Sequence, residues 1–407
     1  MSDSLFVMLG AFIQRALPLL IGIYVSRVFG EEYFSEISYL FISINMMVAF
    51  ISGGFVPSIL SSISNRSLSQ FDKESKVSSY YISVIFAWLV VSSVFLSYFS
   101  LHENANTILI ILVAALSLSL ITVSASMLNS INEYFCALKI SILFACGIIL
   151  SVYVSSVLNY DFEGFLWLFF TCYIWASIVS LIIVNNKIDI AKNIKLKYVF
   201  GAIKSIYREI TGLLVVNVLW MAGVFILHSL IKNSSHDDSF LYPVFALGYQ
   251  WYTLLIFIPG VLASVVIPKM TKSQSPKNIC FKMMMLYAAV GVILAFIITY
   301  DGLLVLYVYG FEYPNDYYDI FVWMVFAGVL SAVNSPMIQY LVSKKRICIL
   351  IIMSLVWFSL NMSLYYVLNG IDFERVFFAS NVFVFMFMLY FIVREKDIVS
   401  SEISRSA

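Results

Sequence analysis

Arg15 stands inside the apolar run that opens the chain, and no other side chain of that run offers comparable chemistry. A guanidinium at membrane depth costs roughly 2.5–3.5 kcal/mol on insertion scales, so it faces a cavity or a partner, or else reaches back to the interface. Its planar fork can donate two parallel hydrogen bonds to a phosphate, which suits it to an anionic ligand. Wound as a helix at about 100° per residue, Ala11, Gln14, Arg15, Pro18, Gly22 and Ser26 share one small, polar arc, while Phe12, Leu17, Leu20 and Ile21 lie elsewhere. Such an arc lines a cavity or lets another helix approach closely. Arg15 is expected near the cytoplasmic end of its helix, where snorkelling to headgroups is the competing use.

A second constellation lies near the middle of the chain. Asn217, Val224 and His228 fall on one helical face, with Trp220 alongside. His228 could titrate near neutral pH and couple to an ion gradient, or it could be a core histidine. Further polar side chains in apolar runs are Asn45, Gln250, Asn334, Gln339, Asn361 and Asn381. Their ordinary use is hydrogen bonding between helices. Asn45, Gln250 and Asn334 are also candidates to read the hydroxyls of a polar ligand, and Tyr249, Trp251 and Tyr252 could stack on its ring faces or belong to the interfacial aromatic belt. The glycine-lysine phosphate loop, the His-Glu-x-x-His pair and the Gly-x-Ser-x-Gly elbow are absent from the sequence, so ATP hydrolysis, zinc hydrolysis and serine catalysis lack their usual residues. No catalytic residue, metal ligand or cofactor is expected.

The elements that must position these groups follow from composition. The chain has 407 residues, 62% hydrophobic and 12% charged, with a mean hydropathy of +0.95. Soluble domains carry about 25% charged residues, so a soluble fold is excluded. The net charge of +1 does not point to nucleic acid, because the basic residues are dispersed among apolar runs instead of gathered on a polar face. Cys136, Cys146, Cys172, Cys280 and Cys348 form no Cys-x-x-Cys pair and lie in or beside apolar runs, which suggests neither a disulfide framework nor a zinc site. The first run begins near Leu5 without a basic leader region before it or a small-residue cleavage site after it, so it is expected to be retained as a helix.

Taking about 20 apolar residues as one crossing, the spacing predicts an all-α integral membrane protein of about 12 transmembrane helices. They fall near residues 6–26, 34–55, 79–99, 107–128, 138–158 and 164–184, then 210–231, 242–267, 280–300, 320–341, 348–368 and 374–393. The expected organisation is an N-terminal six-helix lobe over residues 1–184, a basic linker over 185–209, a C-terminal six-helix lobe over 210–393 and a polar tail over 394–407. The linker carries Lys187, Lys192, Lys195, Lys197, Lys204 and Arg208 against Asp189 and Glu209. Loops rich in Lys and Arg stay on the cytoplasmic side, which fixes the orientation of every other loop and puts both termini inside. Every other Lys and Arg then falls in or beside an inside loop, except Arg27, Lys232 and Arg375 outside and Arg15 within a span. Leu196, Val199, Phe200, Ile203 and Tyr207 fall opposite Lys197, Lys204 and Arg208, the pattern of a short interfacial helix on the anionic leaflet or of a solvated connector.

The two halves echo each other. Arg27 is followed by Glu31 and Glu32, and Lys232 by Asp237 and Asp238; Pro57-Ser58-Ile59-Leu60 is matched by Pro259-Gly260-Val261-Leu262. Six crossings per half make such repeats parallel, related by a pseudo-two-fold axis along the membrane normal, and tandem lobes of this kind place a substrate site between them near the midplane.

Three stretches carry a resemblance. They are Arg15-Ala16-Leu17-Pro18 followed by Ser26-Arg27-Val28-Phe29-Gly30-Glu31-Glu32-Tyr33; Tyr242-Pro243-Val244-Phe245-Ala246-Leu247-Gly248-Tyr249-Gln250 through Ile258-Pro259 to Ile267-Pro268-Lys269; and Leu306-Tyr307-Val308-Tyr309-Gly310-Phe311-Glu312-Tyr313. With the twelve-crossing layout they resemble Wzx-type polysaccharide flippases, of the multidrug and oligosaccharide-lipid exporter (MATE-like) superfamily, departing at Phe34 where a glycine is usual. The resemblance implies a flippase of the bacterial inner membrane, moving an O-antigen or related oligosaccharide on undecaprenyl pyrophosphate from the inner to the outer leaflet by alternating access. Other polysaccharide-assembly proteins would be its partners. Arg15, Gln14, Asn45, Asn217, Gln250 and Asn334 then become the candidates for pyrophosphate and glycan binding, with His228 for ion coupling.

Two rivals remain. A multidrug cation antiporter of the same superfamily would favour buried carboxylates over a buried arginine. A membrane glycan polymerase or ligase would need a long outside loop with basic residues, whereas the stretch 301–319 holds Asp301, Glu312, Asp316 and Asp319 without Lys or Arg. The orientation is directly testable: reporter fusions should place the loops at Arg66, Lys197, Lys272 and Lys345 inside and those at Asn104, Asp237 and Asn315 outside. An outside signal at Lys197 would overturn the whole assignment.

Overall fold

A computed structural model describes residues 2–63, 70–188, 196–234, 241–311, 318–367 and 372–394. Arg66, Lys192, Lys195, Asp237, Asp238, Glu312, Tyr313, Asp316 and residues 395–407 lie outside the described residues. The described residues are helical throughout, joined by short turns. They form α1 (Ser2–Val28), α2 (Glu31–Ser52), α3 (Phe55–Ile63), α4 (Gln70–His102), α5 (Ala105–Ser130), α6 (Tyr134–Leu158), α7 (Phe162–Lys187), α8 (Leu196–Ser234), α9 (Leu241–Lys272), α10 (Pro276–Tyr300), α11 (Gly302–Tyr309), α12 (Tyr318–Ser343), α13 (Ile347–Val367) and α14 (Phe373–Arg394).

Twelve of these are long and apolar enough to cross a bilayer, and each coincides with an expected crossing, its ends shifted by a few residues. The two others, α3 and α11, are short and were not expected. A further difference concerns the basic stretch. Leu196 to Glu209 is helical but runs without a break into the seventh span, so it is the first part of one 39-residue helix and not a separate short one. Local signals set several ends. Asn104 Oδ1 accepts from the Thr107 amide at 2.8 Å to start α5, and Asp161 Oδ1 accepts from the Gly164 amide at 2.9 Å to start α7. Gly30 turns the chain between α1 and α2 at φ +104°, a conformation that disfavours side chains bearing a Cβ. Glu133, just before α6 and outside the spans, accepts a 2.9 Å bond from Lys187 Nζ at the end of α7, and that bond holds its carboxyl below the usual range.

The chain divides into two compact units, Met1–Phe225 and Ile226–Ala407, and the division falls inside α8. In the first unit α5 is the hub, packing against α2, α3, α4, α6 and α7. In the second the hub is α12, packing against α9, α10, α11, α13 and α14. These are the fourth spans of their halves, and their pairings with the second, third, fifth and sixth spans recur in both, as a parallel repeat requires.

Helices in lipid gain nothing from hiding apolar side chains from one another, so they associate by close approach and by hydrogen bonds. The hubs are accordingly made of small residues. On α5 the buried set includes Ala114, Ala115, Ser117, Ser119, Ser124 and Ser126; on α12 it includes Ala327, Gly328, Ser331 and Ala332. A Cβ on Gly328 would stand 3.0 Å from Tyr252 Cα and 2.9 Å from Leu255 Cδ1, and one on Gly248 would stand 2.8 Å from Met324 Cβ. The α9 and α12 backbones are therefore as close as glycine permits. Gly328→Val should cost about 1–3 kcal/mol by overpacking and lower the unfolding temperature in detergent, whereas Gly260→Ala, with nothing within 4 Å of its added methyl, should leave it nearly unchanged. Thermal unfolding of the purified variants checks this.

Candidate functional site

Arg15 lies near the middle of the 24-residue span Leu5–Val28, at least about 15 Å from either end at about 1.5 Å per residue, and its side chain is exposed. This corrects the expectation of a position near the cytoplasmic end: an arginine side chain is too short to reach the interface easily from that depth. The arc around it is divided. Gly22 and Ser26 are buried in helix packing, and Gln14 Nε2 donates to Ser141 Oγ on α6 at 3.0 Å. Gln14 thus clamps α1 to α6, while Arg15 stays on the open side.

Asn45 is the other exposed polar candidate in the first unit. It sits midway along α2 among buried Phe41, Ile42, Ile44, Met46, Met47 and Ala49. A lipid-facing helix shows a continuous exposed stripe, as α10 does at Leu286, Val290, Ile293 and Ile297. On α2 no residue between Glu36 and Asn45 is exposed, so Asn45 marks a local opening in the packing and not a lipid face. Glu36 is a carboxylate that the spacing of the spans did not single out. It is exposed and lies inside the span Glu31–Ser52, near its start. Asn217, half-buried on α8, donates from Nδ2 to the Gly53 carbonyl at 2.7 Å, and so caps the end of α2.

In the second unit most candidates are tied into the core. His228 is fully buried against the rings of Tyr242, Phe245 and Tyr249, with Nδ1 at 3.2 Å from the Tyr242 hydroxyl. Gln250 Oε1 accepts from the Tyr309 hydroxyl at 3.4 Å. Asn334 is buried and donates to the Asn381 carbonyl at 3.3 Å; Gln339 donates to the Pro259 carbonyl at 2.9 Å. Asn361 accepts from Ser380 at 3.2 Å. Tyr249 and Tyr252 stack on each other at 5.4 Å and are buried, which removes both from the interfacial belt.

Sequence reasoning missed the serines that organise these bonds. Ser331 on α12 lies 2.9 Å from the Tyr252 hydroxyl of α9 and donates to Asn381 Oδ1 of α14 at 2.7 Å. Ser124 on α5 lies 2.8 Å from the Tyr81 hydroxyl of α4 and accepts from Ser180 of α7 at 3.2 Å. Each node joins the fourth span of its half to the sixth, and the two stand about half a chain apart. The available signal was this recurrence: Ser124 with Ser180, then Ser331 with Asn381.

The architecture is the twelve-helix fold of the MATE transporters. One similar solved structure is an inward-facing multidrug resistance MATE family transporter of the MOP superfamily, with TM-score 0.66 and 14% identity, covering 93% of this chain and 94% of that one. An outward-facing structure of such a transporter gives TM-score 0.67 at 13% identity over 96% of this chain and 94% of that one. A MOP superfamily transporter from Pyrococcus furiosus, whose binding pocket is described as of reverse polarity, gives TM-score 0.59 at 14% identity over 96% of this chain and 94% of that one. No family model matches the sequence, and no curated protein does. The likeness at such identities is one of fold.

Glue and available side chains should separate on substitution. Asn381→Ala removes the acceptor for buried Ser331 and should destabilise by about 1–2 kcal/mol, whereas Asn45→Ala should shift stability by less than about 0.5 kcal/mol. Unfolding of both in the same detergent is the measurement; equal losses would place Asn45 in the packing as well.

Proposed function

We propose that this chain is an alternating-access transporter that moves an oligosaccharide linked to undecaprenyl pyrophosphate from the inner to the outer leaflet of the bacterial inner membrane, with both termini cytoplasmic. The observation that carries the reading is Arg15, an exposed guanidinium at mid-span. Exposure to hydrocarbon at that depth would be costly, so the group is assigned to a water-filled opening where a pyrophosphate can meet it. Arginine suits that role because its fork matches phosphate oxygens two at a time. Asn45 is assigned to glycan hydroxyls, since its amide offers donors and an acceptor within an opening of α2. Gln14, Asn217 and Asn334 are assigned to holding helices together, because each bonds a partner on another element. His228, enclosed by aromatic rings, is set aside as a coupling site.

Multidrug cation antiport is the second reading. Glu36 favours it as an exposed carboxylate inside a span, as do neighbours described as multidrug transporters. The similar transporter described as having a pocket of reverse polarity, suggesting a different function, means that the fold does not commit to cations. Glycan polymerisation or ligation finds no support in the outside stretch 301–319, which lacks Lys and Arg.

The test compares Arg15→Lys and Arg15→Ala at matched, low membrane levels in cells lacking their own carrier, with surface glycan as readout. Lysine should retain partial transport as a point charge, and alanine should lose it by roughly tenfold or more, the loss of a charge-assisted pair. Full surface glycan from Arg15→Ala would sink the assignment. A Glu36→Gln variant that abolishes drug resistance in the same cells would favour antiport instead.

A further inference from the structure

The helix α8 begins in the first unit and ends in the second, and its first half meets the end of α2 at an unusual seam. There α2 stops at Ser52, Gly53 and Gly54 form a turn, and α3 starts at Phe55. Tyr207, Ile210, Leu214 and Asn217 follow one another at helical spacing along a single face of α8; the last three meet that turn, and Tyr207 meets the residue just after it. Phe55 lies edge-on to the Tyr207 ring at 6.0 Å. A Cβ on Gly54 would stand 2.9 Å from Ile210 Cβ, 3.1 Å from the Ile210 carbonyl oxygen and 3.4 Å from Leu214 Cβ. A Cβ on Gly53 would stand 3.2 Å from Asn217 Cβ, and the Asn217 amide donates to the Gly53 carbonyl at 2.7 Å.

The chemistry of this seam differs from that of the hubs. At α9 and α12 glycines let two helices lie together with buried hydrogen bonds on further helices around them. Here one side is a bare two-glycine turn, and one side-chain hydrogen bond ends on a carbonyl that α2 leaves without a helical partner. Water can replace that bond when the surfaces part, because a helix-end carbonyl accepts from solvent as readily as from an amide. The two glycines themselves carry no side chain that must be withdrawn, and the ring contact of Phe55 with Tyr207 beside them is edge-on. Close approach with little interlocking is the property of a contact that can open and re-form.

We infer that the Gly53–Gly54 turn and the Tyr207–Asn217 face of α8 form a releasable latch, closed in this structure, whose opening admits substrate to the first unit from the cytoplasmic side. The inference rests on the transport reading and on the orientation that puts the end of α2 inside. Closed, the Asn217 bond holds α8 against α2. A side chain at position 54 would wedge the seam.

Gly54→Ala and Asn217→Ala test this, because a methyl at position 54 would stand 2.9 Å from Ile210 Cβ and hold the seam apart, and loss of the Asn217 amide removes the bond that closes it. Each is placed in a chain whose five native cysteines are replaced. Asn45→Cys serves as reporter, labelled by a membrane-impermeant maleimide added to the cytoplasmic face of inside-out vesicles. Both substitutions should speed labelling by about tenfold or more, because they raise the open population. Labelling that ignores both would overturn the latch. Faster labelling in both variants, with no lipid-linked glycan moved by the chain that keeps Asn45, would support the latch while removing the substrate assignment.

Discussion

A bilayer removes the force that assembles soluble proteins. Lipid tails are as apolar as leucine, so two helices gain nothing by hiding leucines against each other and must find their stability in close contact and in shared polar groups. That constraint suits the two hub helices, whose buried faces include many small side chains. The alanines and serines of α5, and Gly328 with the alanines and serines of α12, let five neighbours approach each axis. Large apolar residues such as Leu286, Ile293 and Phe296 are sent outward, where lipid receives them at no cost. The inside-out look of the sequence follows from the solvent.

The same constraint divides the polar residues. Where a helix must be held, its polar side chain faces a partner and is fully buried, as Ser331, Asn334, Asn361 and Asn381 are. The two serine nodes do this at equivalent helices in both units, so the repeat is preserved in its fastenings as well as in its helix order. Side chains not used in this way stand out by contrast. Arg15 and Asn45 are exposed at mid-span on neighbouring helices α1 and α2, and each has an apolar or buried surround. A polar ligand meets the side chains that the packing leaves exposed, which is why these two carry the functional reading.

The units are not equally closed in character. The second is fastened by hydroxyl and amide bonds running through α9, α12 and α14, and His228 is sealed among rings. The first, with its own Ser124 node, presents a two-glycine turn just after α2 and an exposed amide halfway along that helix. Gly328 in α12 and the Gly53–Gly54 turn after α2 use the same residue differently: in one place it lets two helices lie together, in the other it leaves a turn that carries no side chain of its own.

By itself the sequence determined the class of fold, the number of crossings and their limits to within a few residues, because about 20 consecutive apolar residues have a single stable fate in a bilayer. It also singled out Arg15, since a charge in such a run is visible against any background. Tertiary structure alone decided what each polar residue does. The spans are apolar on all sides, so no periodicity tells the packed face from the open one, and Asn45 and Asn361 look alike in sequence although one is exposed and the other enclosed. The unbroken course of α8, the serine nodes and the pairing of Asn217 with Gly53 were equally illegible. Each depends on which helix lies next to which, and residues far apart in the chain meet only once the helices have packed.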